Sequence, residues 1–563
     1  MRKHLREILI AGLFYAAVTA LYFWPVLTNL AHAIIGPAED NMQFYWFLWY
    51  GKKALLNHSL HFLSTNYIFY PEGTSLLFAN YFYYGVFLSL GIGLFLNLAT
   101  VFNYLVLHSF VLAGIGTFIL VRELTDDFKA ALVAGTIFAF NPSHMGHSLH
   151  HVTIASIQFV PFLVWAFYRM TRGSLKWGWV AATALFLALG ALCDWNYLVY
   201  GLIFILFASI FMAIREGVWR WLGCYGFRVL VAVILAFVVL SPLLIPMVRA
   251  VSEQKFLRDL PGYDIYVADF MGFWVPSDMQ RLGQWPVFKA LNTAMSGNAW
   301  EKAAYLGWGG LLLILLSVKE ILRNRKRYLL GLIFFMILSM GTAFHFFGKT
   351  VTTWMPYRII EIMPLLKQAR NPSRIIVYVY LFLAILAGFS VKHLFADRFA
   401  KSQRVRAFRE TPLLVCILAV IIFEFYPSGV TATPVALPKA YDTAMKDPAK
   451  DFALLEIPWD MGRYMMYQTV HGIPMVQGYL GRRFEASLLN RLTYDPGRLE
   501  EQKKMLTNNR VKYVILFKKK LDWDPSRMTD QRYTLILNRM SGEYAKHYTR
   551  LYEDSDATVF QVY

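Results

Sequence analysis

Apolar runs recur from residue 8 to residue 426 and constrain everything else about the chain. The clearest are 8–26, 103–121, 130–141, 153–168, 177–193, 197–214, 229–247, 304–318, 328–344, 374–391 and 411–426. Several approach the roughly 20 apolar residues a helix needs to cross a bilayer. Inside lipid only a helix or a closed barrel satisfies every backbone amide. Hydrophobic residues make up 57% of the 563 and charged ones only 16%, where a soluble domain carries about a quarter charged. The pattern predicts a polytopic α-helical membrane protein with about 11 transmembrane helices.

One further apolar stretch, Tyr81–Leu98, sets the parity of the rest. Lys and Arg concentrate in the links 169–176, 215–221, 319–327 and 392–409. Those links all fall inside if 81–98 does not cross, which is the bias expected of cytoplasmic loops. Gly85, Gly91 and Gly93 suit a bent or interfacial element. The expectation is an N-terminus in the cytoplasm of a multi-pass inner membrane protein and interfacial helices in the first outer loop. The net charge of +19 then reflects basic inside loops and calls for no nucleic acid. Cys193, Cys224 and Cys416 offer neither metal-ligand spacing nor a disulfide framework.

After Pro427 the apolar runs stop. FALLEIPW, VKYVILFKK and ATVFQVY read as strands, and 496–507 reads as a polar helix. The division expected is a transmembrane domain, 1–427, followed by a soluble extracytoplasmic α/β domain, 428–563.

Chemistry is sought among the outer polar residues. Glu39 and Asp40 follow the first apolar run and precede Phe44, Tyr45, Trp46, Trp49 and Tyr50. A carboxylate near a bilayer is costly and tends to be kept where it binds a cation, takes a proton or orients a substrate. Aromatic rings suit the headgroup level. The plainer alternative is that Asp40 caps an interfacial helix. In NPSHMGHSLHH, His144, His147 and His151 share a helical face, and His147 and His151 have the i, i+4 spacing of a metal clamp. They serve equally as hydrogen-bonding groups for sugars or headgroups, so a divalent metal stays open.

In QARNPSR, Asn371 is an N-cap with Pro372 at the first helical position. Arg370 and Arg374 flank the positive end of that helix, a natural phosphate site. Ordinary headgroup anchoring would look the same. The stretch 262–285 interleaves Asp264, Asp269 and Asp278 with aromatics, as sugar binding requires, and Asp194 lies in CDWNY. No GxxxxGK[ST], GxGxxG or GxSxG stands where its mechanism would work.

The chain resembles the GT-C superfamily of membrane glycosyltransferases, which use polyprenyl-phosphate-linked sugars. The early acidic pair, the elements after it and a closing outer domain carry the resemblance. AEDNMQFYWFLWY, FYPEGTSL, FAFNPSHMGHSLHH, WEKAAYLGWGGLLL, ARNPSRIIVY and MMYQTVHGIPMVQGYLGRR resemble an uncharacterised bacterial branch of it more closely. The resemblance implies sugar transfer to a glycan, lipid or protein acceptor at the outer face, in cell-envelope glycan biosynthesis. It implies Asp40 as general base with Glu39 as its substitute, Arg370 and Arg374 on the donor phosphate, and inversion at the anomeric carbon. His144, His147, His151, Asp194, Asp269, Arg482 and Arg483 are substrate-binding candidates. The acidic pair is Glu-Asp and not a DxD triplet, which leaves room for a metal-free reaction. A flippase or transporter and a polymerase of lipid-linked glycans are the alternatives. Acidic residues gathered in outer loops, and no internal repeat, favour the enzyme over a transporter.

Overall fold

The computed structural model describes residues 2–172, 176–252, 265–363, 369–395, 403–449, 451–458, 462–480, 488–492, 496–518 and 530–563. The chain divides into two compact units. One comprises Met1–Thr28 with Tyr104–Thr431, the other Asn29–Asn103 with Ala432–Tyr563.

The first unit is helical. Among the described residues, six helices are long and apolar enough to cross a membrane: Lys3–Leu27, Leu98–Thr125, Val152–Thr171, Trp195–Glu216, Val218–Ser252 and Pro372–Phe395. Four other expected runs fold as the shorter helices Phe128–Ala139, Trp177–Cys193, Trp308–Leu316 and Lys326–Ser339. The last run, 411–426, lies largely within Gln403–Glu424. The chain is thus a multi-pass membrane protein.

Pro372–Phe395 is the axis of this unit, with 94% of its apolar window buried. Helices Phe128–Ala139, Lys326–Ser339 and Trp308–Leu316 surround it. A helix apolar on every side belongs in an interior. Gly388 permits a close approach: a Cβ there would stand 2.7 Å from Val121 Cγ1 and 3.3 Å from the Ala130 carbonyl oxygen. Gly388→Val is expected to cost on the order of 1–3 kcal/mol through overpacking. Thermal unfolding in detergent checks this, and an unchanged Tm would contradict the packing. At the entrance to Trp308–Leu316, the Glu424 carboxylate accepts from Tyr305 Oη at 3.0 Å and from the amides of Trp308 and Gly309 at 3.0 and 2.9 Å. It satisfies amides that the first turn of a helix leaves unpaired.

The second unit is built on a four-stranded mixed sheet, ordered Ala453–Ile457, Val511–Phe517, Ala557–Gln561, Thr549–Glu553. The first pair is parallel and the others antiparallel. The three strands expected from sequence are all present, and helix Leu499–Asn508 follows a short turn at Pro496–Arg498. Leu455, Val514, Leu516, Tyr544 and Phe560 share its core.

The early stretch 29–103 packs with this sheet. Ala33–Ile35 pairs antiparallel with Ala432–Pro434. Phe69 N donates to Gln477 O and Tyr70 N to Met475 O, each at 3.1 Å. Helix Asp40–Leu56 lies on helix Arg463–His471. Trp46 Nε1 donates to Gln468 Oε1 at 2.6 Å, and Gln468 Nε2 donates to the carbonyls of Tyr67 and Ile473.

This corrects the headgroup-level reading of the aromatics. Phe44, Tyr45, Trp46 and Tyr50 are at most 4% exposed, buried by protein because Asp40–Leu56 has a partner helix. Tyr83–Ile92, within the ambiguous run, has ten residues. At ~1.5 Å rise per residue it reaches about half the hydrocarbon thickness.

Glu456 is fully buried on strand Ala453–Ile457. Burial pushes its carboxyl up from the ordinary 4.5 to about 8, with its own backbone amide and the Tyr441 hydroxyl pulling weakly the other way. Between those values the folded chain holds a proton that the unfolded chain releases. Stability therefore falls as pH rises through this window, by up to about 1.4 kcal/mol per pH unit. Glu456→Gln is expected to flatten the dependence of Tm on pH between 5 and 8. Equal slopes in the two proteins would contradict it.

Candidate active site

In the second unit, Glu39 takes the N-cap position of helix Asp40–Leu56 and Asp40 its first turn. Both are half-buried. Glu39 makes no side-chain cap bond to the helix, and its carbonyl accepts from Met42 N at 3.0 Å. A carboxylate in the first turn is favoured by the positive end of the helix. Gly462 presses on this corner: a Cβ there would lie 3.1 Å from Met42 Cβ and 3.2 Å from Glu39 O. The pair thus sits on a packed element. Arg482 and Arg483 lie outside the described residues.

In the first unit, the polar residues centre on a carboxylate that local sequence patterns did not single out. Glu301, with a side chain 1% exposed, accepts from Arg374 Nε at 2.9 Å and from the Ser373 hydroxyl. His147 Nε2 stands 3.8 Å from its Oε2. Asn371 completes the group: with its amide oxygen turned to the guanidinium, it accepts from Arg374 Nε at 3.2 Å and Nη2 at 2.8 Å. The Tyr200 hydroxyl donates to the Asn371 carbonyl at 3.0 Å. Asp194 is close enough for its charge to act on Arg374. Its own side chain caps helix Trp195–Glu216, accepting from Asn196 N at 2.9 Å.

This geometry changes the reading of QARNPSR. Asn371 occupies the N-cap position and Pro372 opens a single 3₁₀ turn, Pro372–Ile375, ahead of helix Ile376–Phe395. Asn371 makes no cap hydrogen bond; its side chain turns to Arg374. The guanidinium expected to hold a phosphate already holds a carboxylate from 73 residues earlier in the chain. A buried arginine demands such a partner. Arg370 is half-buried, its guanidinium 5.6 Å from the Tyr266 ring centroid.

The histidines differ in their partners. His144 Nδ1 lies 2.6 Å from the Ala139 carbonyl and its Nε2 3.0 Å from Ser109 Oγ. Its ring stacks on Phe110 at 3.8 Å. Both ring nitrogens are thus occupied within the fold, although His144 still lies near enough to His147 for its charge to act there. His147 and His151 remain neighbours, ring centroids 5.6 Å apart, and His150 stacks on Trp300 at 4.0 Å. Burial, together with the charges of His151 and Arg374, drives the His147 pKa well below its ordinary value. His147 is therefore a neutral imidazole. Among the described residues, no group of three or more His, Cys, Asp or Glu is arranged to hold a metal ion.

Asp269 has a different task from sugar binding. It is fully buried, and its oxygens accept from the amides of Met271 at 3.0 Å, Phe347 at 3.1 Å, Gly348 at 2.8 Å and Ser296 at 3.2 Å. Four amides from three segments fill the carboxylate, which ties those loops together. Asp264 lies outside the described residues, and Asp278 stands 3.7 Å from Lys302 Nζ.

Glu301 lies in WEKAAYLGW, where it and Lys302 are the two charged residues of an otherwise apolar stretch. That cost in a membrane protein was the available signal.

Comparison with known proteins places this architecture. No curated protein matches by sequence. The mycobacterial arabinofuranosyltransferase AftD is similar in structure, with a TM-score of 0.61 at 12% identity over 99% of this chain. The chain spans only 40% of AftD's length. The oligosaccharyltransferase of Archaeoglobus fulgidus in its apo form has a TM-score of 0.52 at 14% identity, over 99% of this chain and 74% of that one. AglB of the same organism, in complex with an inhibitory peptide and a dolichol-phosphate, has a TM-score of 0.50 at 13% identity, over 97% and 72%. These are GT-C-fold membrane glycosyltransferases. A family model described as a domain of unknown function, DUF6311, matches residues 9–424. The chain therefore has the GT-C fold and belongs to the DUF6311 family.

Proposed function

We propose that this protein is a glycosyltransferase that moves a sugar from a polyprenyl-phosphate-linked donor to an acceptor hydroxyl at the outer face of the cytoplasmic membrane. The observation that carries the reading is a GT-C fold matched over 97–99% of the chain, in structures that include one holding a dolichol-phosphate. The acidic pair at the head of helix Asp40–Leu56 adds the chemistry.

Asp40 is the general base, with Glu39 its substitute. The acceptor oxygen attacks the anomeric carbon and loses its proton to the Asp40 carboxylate. The bond from that carbon to the phosphate oxygen breaks, and the lipid phosphate leaves with the electron pair. A single displacement inverts the anomeric centre. Negative charge on the departing phosphate needs a cation, and Arg370 supplies it. Arg374 acts as a positioning residue, fixed by Glu301 at the start of helix Ile376–Phe395. His147, a neutral imidazole with an unpartnered Nδ1, and its neighbour His151 are the hydroxyl-binding candidates in that unit.

The experiment is turnover in nanodiscs with a panel of short-chain polyprenyl-phosphate sugars, comparing wild type, Asp40→Asn and Arg370→Gln. Sugar loss from one donor, dependent on both residues, is expected. Loss unaffected by either substitution would overturn the assignment of roles.

A further inference from the structure

A second site lies in the unit formed by Asn29–Asn103 and Ala432–Tyr563, at the far end of helix Asp40–Leu56. A cavity of about 330 Å³ is lined there by Trp49, Lys52, Lys53, Leu96, Leu98 and Val101, among others. None of its lining residues is acidic. Leu98 and Val101 are also the first turn of Leu98–Thr125, one of the membrane-spanning helices. Chain continuity thus puts the cavity at the boundary of the bilayer.

The rim is apolar and exposed. Leu94 and Phe95 are 73% and 87% exposed, and the lining residues Leu96 and Leu56 are exposed as well. Such side chains clustered on a surface mark contact with another apolar phase. With a spanning helix leaving from the same corner, that phase is the acyl region of the lipid leaflet.

The two cations are held in place. Lys52 Nζ donates to the Gly93 carbonyl at 2.8 Å. Lys53 Nζ lies 4.8 Å from the Trp49 ring centroid and 4.5 Å from that of Tyr67. Neither lysine forms an ion pair among the described residues. Gly93 keeps the wall close, since a Cβ there would meet Ser89 O at 2.4 Å and Lys52 Nζ at 3.0 Å. An apolar-walled cavity with two ammonium groups and an apolar lip matches one ligand chemistry: a phosphate ester carried on acyl chains.

We infer that this cavity binds the headgroup of an anionic glycerophospholipid from the surrounding leaflet, its phosphate on Lys52 and Lys53 and its chains along Leu56, Leu94, Phe95 and Leu96. The site is independent of the proposed sugar transfer. It anchors the stretch 83–98 at the interface, where a ten-residue helix is too short to cross.

The test uses the full chain, purified in detergent and read by native mass spectrometry with phosphatidylglycerol and phosphatidylcholine of matched chains. Wild type is expected to retain phosphatidylglycerol preferentially. Lys52→Gln/Lys53→Gln is expected to lose that preference by about fivefold per lysine, in a salt-sensitive way. Lys52→Arg/Lys53→Arg keeps the charge and should keep the preference, as should the exposed variant Lys289→Gln in the other unit. Equal retention of the two lipids by wild type would overturn the site, as would an undiminished preference in the double glutamine variant with its fold intact. Displacement of phosphatidylglycerol by millimolar inorganic phosphate would reassign the site to a free anion.

Discussion

Glu301→Ala is expected to destabilise the protein by about 3–5 kcal/mol, the usual cost of removing one member of a buried ion pair. The substitution strips the Arg374 guanidinium of the carboxylate 2.9 Å away and leaves it in a site where its side chain is 11% exposed. Asn371 and Asp194 replace that contact only in part, since the first is neutral and the second is engaged in capping its own helix. Glu301→Gln keeps the volume and a hydrogen-bond acceptor and should cost less. The double variant Glu301→Ala/Arg374→Ala should be more stable than the sum of the two singles by about 0.5–3 kcal/mol, because the orphaned charge is gone. Denaturant unfolding in detergent reads all four. Additive losses would mean that the pair is a crossing of two independent side chains and does not fix the start of helix Ile376–Phe395.

Asp40→Asn is expected to lower turnover by roughly 10²–10⁴-fold, the range associated with a positioned general base. The amide is nearly isosteric, so the first turn of Asp40–Leu56 and donor binding should both persist. The loss should therefore appear in kcat with the donor KM little changed. Glu39→Gln should reduce turnover far less, since its position is the N-cap and Asp40 begins the helix. The opposite ranking would make Glu39 the base. Wild-type activity in both Asp40→Asn and Glu39→Gln would end the proposal for either residue, and the pair would then be a helix-terminal feature alone.

The membrane class was legible because apolar runs and their length are local properties. The strands Ala453–Ile457, Val511–Phe517 and Ala557–Gln561 were legible for the same reason: each is a short apolar segment with polar flanks. What escaped was everything decided by partners distant in sequence. Asp40–Leu56 carries the aromatic content of an interfacial helix, yet Gln468, some 422 residues later, buries Trp46 through a hydrogen bond. A three-residue pairing of Ala33–Ile35 with Ala432–Pro434 forms a separate two-stranded sheet that ties the early loop to the start of the closing segment, and no local pattern announces a pairing so short. Arg374 read as a phosphate ligand because its carboxylate lies across 73 residues. Asp269 read as a sugar ligand because acids among aromatics suit sugars, although backbone amides of neighbouring loops take up both of its oxygens. The acidic pair does stand at the start of a helix, shifted by one residue from the expected cap: Glu39 takes the N-cap and Asp40 the first turn.

The most direct test of the central proposal is release of sugar from polyprenyl-phosphate donors by the purified full-length protein in nanodiscs. Transfer of sugar from one donor to an acceptor hydroxyl, with inverted configuration and dependence on Asp40, is the expected result. No release from any donor, accompanied by movement of the lipid-linked sugar between leaflets, would contradict it and make the protein a transporter.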